Sequence, residues 1–135
     1  MNFSTILLYA HSGIRWLIVL AAVFALGLFG YGWLANKKSQ KLARIVPSAY
    51  SGLLDAQVAL GLIYMIVLYA QGMGLPRFRL EHMTVLLFAA VVAHLPSRWR
   101  KKGSENFYRN TFFAILGSLV LIYIGVSILP GGWNR

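Results

Sequence analysis

The chain contains a continuous apolar stretch at residues 13–35, GIRWLIVLAAVFALGLFGYGWLA, in which Arg15 is the only charged residue. An α-helix needs roughly 20 consecutive apolar residues to cross a hydrocarbon core of about 30 Å, and this stretch is long enough. It also lacks the alternation of polar and apolar residues that the strands of a membrane β-barrel show. These residues therefore predict a helix that spans a membrane.

Three further apolar stretches follow, and the sequence predicts four spans in all, at residues 3–35, 47–71, 78–95 and 108–129. Asp55 is the only charge in the second span, and the third carries Arg79 and Glu81 in its first turn. Four spans with short connections use the whole chain, so we expect a single domain over residues 1–135. The predicted fold is all-α, an integral membrane four-helix bundle.

Proline and glycine residues mark the expected helix ends and helix contacts. Pro47 is predicted in the first turn of the second span, where a proline costs no hydrogen bond, and Pro96 is predicted to end the third span. Five glycines inside the spans are expected to let neighbouring helices approach closely in lipid: Gly27, Gly30, Gly61, Gly117 and Gly125.

The composition argues against several classes of protein. Of the 135 residues, 59% are hydrophobic and 12% are charged, whereas soluble domains carry about 25% charged residues. A water-soluble globular domain is therefore not expected, and the aromatic content argues against a disordered chain. Cysteine is absent, which excludes disulfides, zinc–thiolate sites, iron–sulfur clusters and covalently attached c-type heme.

The basic residues predict the orientation of the bundle. Thirteen Lys and Arg stand against three Asp and Glu, for a net charge of +10. Nine of the thirteen lie in the loops after spans one and three, the second loop being extended to the start of span four: Lys37, Lys38, Lys41, Arg44, Arg98, Arg100, Lys101, Lys102 and Arg109. Short loops rich in Lys and Arg stay in the cytoplasm. Both termini are therefore predicted outside (N-out/C-out) in a bacterial cytoplasmic (inner) membrane, with anionic lipid rather than nucleic acid as the partner of the positive charge.

Two histidines indicate a cofactor. His11 lies in the outer part of span one, and His82 lies in the first turns of span three, which begins on the same side. Neutral imidazole is a common axial ligand of heme iron, and helix bundles commonly hold such cofactors between facing helices. Arg15 follows His11 by one turn, and Arg77 and Arg79 shortly precede His82, so these cations are candidates to pair with heme propionates. The predicted site is a heme with His11 and His82 as iron ligands.

Residue counting leaves the pairing of the two histidines open. Along the sequence, His11 lies much farther before Lys37 than His82 lies before Arg98. At about 1.5 Å per helical residue, the heights of the two histidines above these inner basic residues differ by about 15 Å. The two are level only if span one extends into the cytoplasm or tilts strongly. Two alternatives stay open: both histidines lie at the outer headgroup level in contact with water, or one alone ligates a heme or (bacterio)chlorophyll.

Three more polar residues lie inside the spans, where ionisable groups are costly and usually functional. Asp55 is either a structural carboxylate paired with a basic residue or Ser51, or a proton relay or quinone contact. Gln57 is expected to hydrogen-bond across the bundle, with a quinone contact as its other role. His94, about 18 Å along span three from His82, is a second ligand, a quinone hydrogen-bond donor or an interfacial residue. No catalytic group is assigned.

Three short runs resemble a known family. They are HSGIRW at residues 11–16, DAQVALG at residues 55–61 and RLEHM at residues 79–83, in this order. The sequence over residues 8–130 resembles small four-helix bacterial membrane proteins described as cytochrome b-like. The pattern Gln-x-x-Leu-Gly at residues 57–61, followed by a histidine on the next helix, is also similar to one half of heme A synthase, a four-helix heme-binding bundle.

These resemblances imply a b-type heme with His11 and His82 as ligand candidates. The cytochrome b-like group carries a histidine where this chain has Asp55; if that histidine is a ligand in the group, this chain lacks it and the implied heme is differently ligated here. We expect a heme-binding protein that transfers electrons, together with other membrane subunits of a respiratory or photosynthetic complex or as a homo-oligomer. Two alternatives stay open: a cofactor-free accessory or assembly subunit, and a small heme- or quinone-handling enzyme that uses Asp55 and a histidine as proton carriers.

Overall fold

The computed structural model describes residues 2–103 and 105–134. The chain forms four long helices, α1 (Phe3–Leu34), α2 (Gln40–Ala70), α3 (Arg77–Lys102) and α4 (Phe107–Ile128), followed by a 3₁₀ turn (Gly132–Asn134). Each of the four helices is long and apolar enough to cross a membrane. The described ranges contain no strand. The predicted all-α four-helix bundle is thereby confirmed.

Each helix packs against two others. α1 contacts α2 and α4, and α3 contacts the same two helices, so α1 and α3 lie diagonally across the bundle. Short connections make successive helices antiparallel, which directs α1 and α3 the same way. Residues near the N-terminal ends of these two helices therefore lie at one end of the bundle and on opposite sides of its axis.

The second helix begins earlier than predicted. α2 starts at Gln40 rather than at residue 47, so Pro47 lies inside the helix. Ser39 explains the early start, because its side-chain oxygen accepts a hydrogen bond from the backbone N–H of Leu42 and caps the helix. An interior proline removes one helical hydrogen bond. Pro47 is buried, so packing against the neighbouring helices supports the helix at this point.

The third helix ends later than predicted. α3 continues through Pro96, which is also buried, and reaches Lys102. The helix stops where Gly103 adopts the left-handed conformation with φ 67°, the usual role of glycine at a helix C-terminus. Three basic residues occupy the last turn, where positive charge interacts favourably with the helix dipole.

These boundaries remove most of the height difference that residue counting predicts for the two histidines. The length of α1 from His11 to its end at Leu34 nearly equals the length of α3 from His82 to its end at Lys102. The difference is less than one helical turn, about 4.5 Å along the helices. The expected gap of about 15 Å came from counting to Arg98 as the inner end of the third span, whereas Arg98 lies inside α3, which continues to Lys102.

The glycines divide into two groups. A Cβ at Gly30 would lie 3.2 Å from the Phe112 ring, and Gly61 and Gly125 also face a neighbouring helix closely. A Cβ at Gly27 or Gly117 would meet nothing within 4 Å. The prediction of close helix contacts is therefore confirmed for three of the five positions and wrong for the other two within the bundle.

A buried polar network crosses the centre of the bundle. The Ser118 hydroxyl on α4 donates to the Ala89 carbonyl on α3 at 3.0 Å. Because that hydroxyl proton is used, the Tyr50 hydroxyl on α2 donates to Ser118 at 2.8 Å. Tyr50 and Ser118 are fully buried. This network joins three helices in the bundle core.

Candidate functional site

A cavity lies between the helices in the half of the bundle that contains His11 and His82. Arg15, Arg79 and Gln57 also line it, and most of the remaining lining is apolar. The cavity volume is about 100 Å³, and the atom-free space around it, which includes open solvent, is about 1020 Å³. Polar residues from three helices thus meet in one cavity.

The two cavity histidines lie opposite each other across the bundle. The ring centres of His11 and His82 are 6.4 Å apart, and the ring planes make an angle of 76°. His11 is on α1 and His82 is on the diagonal helix α3. The structure therefore brings together the two residues whose pairing the sequence left open.

The end of α4 holds His82. Its Nδ1 atom lies 2.7 Å from the carbonyl oxygen of Gly125. A carbonyl only accepts hydrogen bonds, so Nδ1 carries the proton. The last four carbonyls of a helix lack intrahelical donors, and the N–H of Leu129, which follows the helix, bonds to Val126 instead of Gly125. His82 therefore satisfies the Gly125 carbonyl through Nδ1, and its other ring nitrogen is Nε2.

Glycine at position 125 makes this contact close. A Cβ there would overlap the side chain of Leu86, which lies one turn after His82 on α3. Without a side chain at Gly125, the two helix backbones approach each other closely. The approach brings the carbonyl within reach of the imidazole.

The second helix positions His11. The side-chain amide of Gln57 donates to the His11 carbonyl with an N···O distance of 2.7 Å, which is the predicted hydrogen bond across the bundle. One turn further along α2, a Cβ at Gly61 would lie 3.1 Å from Cε1 of His11 and 3.7 Å from the end of Met83. The α2 backbone therefore packs directly against the His11 ring and limits its movement.

Arg15 is buried beside the cavity, with 7% of its surface exposed. Its guanidinium carbon lies 5.2 Å from the ring centres of both Trp16 and Trp133, within range of cation–π attraction. Trp133 belongs to the 3₁₀ turn, which folds back over Arg15 after Gly131 and Gly132 adopt positive φ. Sequence reasoning missed this contact, and the Pro-Gly-Gly run at residues 130–132 is the signal that predicts such a reversal.

The two arginines before His82 differ in position. Arg79 lines the cavity, and its guanidinium carbon lies 5.7 Å from the Phe78 ring centre. Arg77 pairs with Glu81 at 2.6 Å, and its side chain is 92% exposed. The structure therefore brings Arg79 to the cavity and leaves Arg77 outside it.

Asp55 and His94 form a separate pair between α2 and α3. Nε2 of His94 lies 2.9 Å from each carboxylate oxygen of Asp55. Neither residue lines the cavity, and about half of each side chain is exposed on the outer surface. His94 is therefore the basic residue that pairs with Asp55, and this pairing is one of the two structural roles expected for the carboxylate. Ser51 instead donates to the backbone carbonyl of Ser48.

The donor set distinguishes two kinds of metal site. Within residues 2–103 and 105–134, no three His, Asp or Glu side chains gather as they do around an ion held by protein alone. Two opposed imidazoles suit instead an ion that a macrocycle already holds. Comparisons of the chain with family models, curated proteins and solved structures give no match.

Proposed function

We propose that this protein binds one b-type heme between His11 and His82 and passes electrons within a membrane. The observation that carries the proposal is the 6.4 Å separation of the two imidazole centres. Metal–imidazole bonds of about 2 Å, with about 1 Å from each ring centre to its nitrogen, put the centres of two opposed ligands about 6 Å apart. Each ring can rotate about its metal–nitrogen bond, so an angle of 76° between the planes is compatible with this ligation.

The surroundings of the two histidines support the same proposal. A ligating histidine usually donates its other N–H to a carbonyl or carboxylate, which orients the ring and makes the ligating nitrogen more basic. His82 makes this bond to Gly125 through Nδ1, so Nε2 is the nitrogen that would ligate iron. His11 is held through Gln57 and Gly61 on α2. Both imidazoles are thus positioned before any cofactor binds.

Two cations at the cavity suit the propionates of a heme. Arg15 and Arg79 both line the cavity, and guanidinium groups pair well with carboxylates, with two parallel hydrogen bonds. Two propionates carry two negative charges, which these two arginines match. Arg77 is paired with Glu81 away from the cavity, so the proposal does not include it.

The cavity volume sets a condition on binding. Small-molecule sites measure roughly 300–1,000 Å³, and this cavity has about 100 Å³. A heme therefore enters only if lining side chains move toward the open mouth. Met65 and Met83 line the cavity, and methionine changes shape readily because it is unbranched and has three rotatable bonds. We expect heme binding to repack these two side chains.

The bound heme would supply the redox chemistry, and the chain would hold and orient it and set its potential. The basic loops predict both termini and the heme on the outer side of a bacterial inner membrane. In that setting the protein would serve as an electron-transfer subunit of a respiratory or photosynthetic complex. Quinone contact or proton exchange at Asp55, Gln57 or His94 stays a separate prediction. Asp55 and His94 lie outside the cavity, and Gln57, which lines it, donates its hydrogen bond to the His11 carbonyl.

A reduced-minus-oxidised absorption spectrum of protein purified from heme-sufficient cells tests the proposal. The chain has three histidines, two in the cavity and one outside it, which gives a matched control. We expect b-type bands in the wild type and in His94→Ala, and lost or shifted bands in His11→Ala and His82→Ala. A wild type without heme bands, or equal loss in all three variants, would contradict the proposal.

A cofactor-free accessory or assembly subunit is the second candidate. The small cavity volume of about 100 Å³ favours this role, because it does not hold a cofactor without repacking. The two imidazoles would then pack near each other and join α1 to α3. Co-purification in a larger complex, without pigment in this chain, would support this role. If heme is retained and turnover is lost in Asp55→Asn, an enzyme of heme or quinone chemistry is the better description.

A further inference from the structure

The outward face of α2 differs from those of the other three helices. The residues exposed near the middle of α1, α3 and α4 include large apolar side chains such as Leu20, Phe88 and Val120. On α2, every exposed residue from 48 to 59 is small or polar: Ser48, Ala49, Gly52, Asp55, Ala56 and Ala59. We call these six residues the α2 face. On α2, large apolar side chains are exposed only before residue 48 and after residue 59.

An ionisable pair lies on this face. Asp55 lies at the midpoint of α2 (Gln40–Ala70), a membrane-spanning helix, and it pairs with His94 on α3. About half of each side chain is exposed on the outside of the bundle. Ionisable groups inside a membrane almost always face protein or a water-filled cavity rather than hydrocarbon. The pair therefore indicates that protein covers this surface.

The small residues give a covering helix room to approach. Gly52 and Ala56 are separated by one helical turn, the spacing of small residues at close contacts between membrane helices. A Cβ at Gly52 would meet nothing within 4 Å, so no contact within the bundle requires a glycine here. A glycine in a helix interior also costs stability relative to alanine. The open space beside Gly52 leaves room for a helix outside the bundle.

We propose that the α2 face, together with His94, is the contact between two copies of this chain. A contact between two copies related by a two-fold axis joins identical surfaces, so the surface must complement itself. This one does, because the small residues Gly52 and Ala56 of each copy leave room for the same stretch of the other copy. Each copy also presents an Asp55 carboxylate beside a His94 imidazole, so hydrogen-bonding groups of one copy can meet those of the other. All copies share one orientation in the membrane, so the two α2 helices run parallel and bring Gly52 and Ala56 of each copy together.

Disulfide cross-linking in isolated membranes tests the contact. The chain has no cysteine, so an introduced cysteine is the only thiol. Leu20→Cys is the matched control for Gly52→Cys, because Leu20 is 67% exposed near the middle of α1. After mild oxidation, we expect a product of twice the 15.1 kDa chain mass from Gly52→Cys, at least tenfold more than from Leu20→Cys. Equal yields, no product, or a mixed disulfide with a different protein would overturn the proposal.

A second variant tests the contact without a cross-linking reaction. Gly52→Leu adds a large side chain where the bundle offers open space, so the helical circular dichroism of the chain should not change. In analytical ultracentrifugation in a mild detergent, we expect wild type at the mass of two chains and Gly52→Leu at the mass of one. Equal masses for the two proteins would overturn the proposal. Neither measurement depends on heme, so the result is independent of the proposed function.

Discussion

Replacement of Gly125 by alanine is expected to destabilise the bundle and to release His82. The new Cβ would overlap Leu86, which is buried between α3 and α4. An extra methyl group in a packed core costs about 1–3 kcal/mol. If the helices move apart, the 2.7 Å hydrogen bond from His82 is also lost, which costs about 0.5–1.5 kcal/mol. Alanine regains about 1 kcal/mol as the better helix former, so the net loss is about 0.5–3.5 kcal/mol.

Gly117 provides the matched control on the same helix. A Cβ at this position would meet nothing within 4 Å. Only the helix preference of alanine then acts, so Gly117→Ala is expected to stabilise the protein by up to about 1 kcal/mol. The two substitutions are chemically identical, and the structure predicts opposite signs for them.

Unfolding of the purified variants in a mild detergent, followed by circular dichroism, measures both free energies. In heme-containing preparations, Gly125→Ala should also retain less heme than Gly117→Ala, because His82 loses the bond that orients its ring. A Gly125→Ala protein at least as stable as wild type would refute the close packing of α3 on α4. The close approach of α3 and α4 would then not be what brings the Gly125 carbonyl to His82.

Two other substitutions test how the remaining cavity groups act. Arg15→Gln is expected to lower the midpoint potential of bound heme by roughly tens of millivolts, since a nearby cation favours the reduced iron. In the same potentiometric titration Arg77→Gln should leave the potential unchanged, and equal shifts for the two variants would show that the position of Arg15 at the cavity does not affect the potential. In the second test, Gln57→Leu removes the hydrogen bond to α1 and should cost about 0.6–1.7 kcal/mol of unfolding free energy. An unchanged unfolding curve would show that this bond contributes nothing.

The sequence was sufficient for the four helices because continuous apolar runs dominate it. The helix ends were harder, since they depend on local contacts that override general rules. Pro47 and Pro96 looked like boundaries, yet both lie buried inside helices. The actual boundaries depend on the cap at Ser39 and the left-handed conformation of Gly103. Serine and glycine are common residues at helix ends, and the prediction used only the prolines.

The cavity was predicted in part. His11, His82 and Arg15 were selected because ionisable groups are rare in membrane spans, and the structure places all three at one cavity. Trp133 and Gly125 were not linked to it, because their contacts join residues that are far apart in the sequence. Residue spacing along one helix carries no information about such contacts between helices.

The contact between Asp55 and His94 was also not predicted from the sequence. The two residues lie on different helices, so their spacing in the sequence does not indicate that they meet. Their exposure on the outer surface of the bundle follows from the rotation of α2 and α3, which the packing of all four helices decides. The small residues around Asp55 give a signal of this face that the sequence does contain, because they recur at helical spacing.

The central claim is that His11 and His82 ligate the same iron, and electron paramagnetic resonance of the oxidised protein tests it most directly. Two axial imidazoles would make a ferric heme low-spin, and if the rings keep the 76° angle between their planes, the low-spin signal would be highly anisotropic. We predict that signal in the wild type and in His94→Ala, and a high-spin signal in His82→Ala. A high-spin signal in the wild type, or no ferric heme signal in protein from heme-sufficient cells, would contradict the claim.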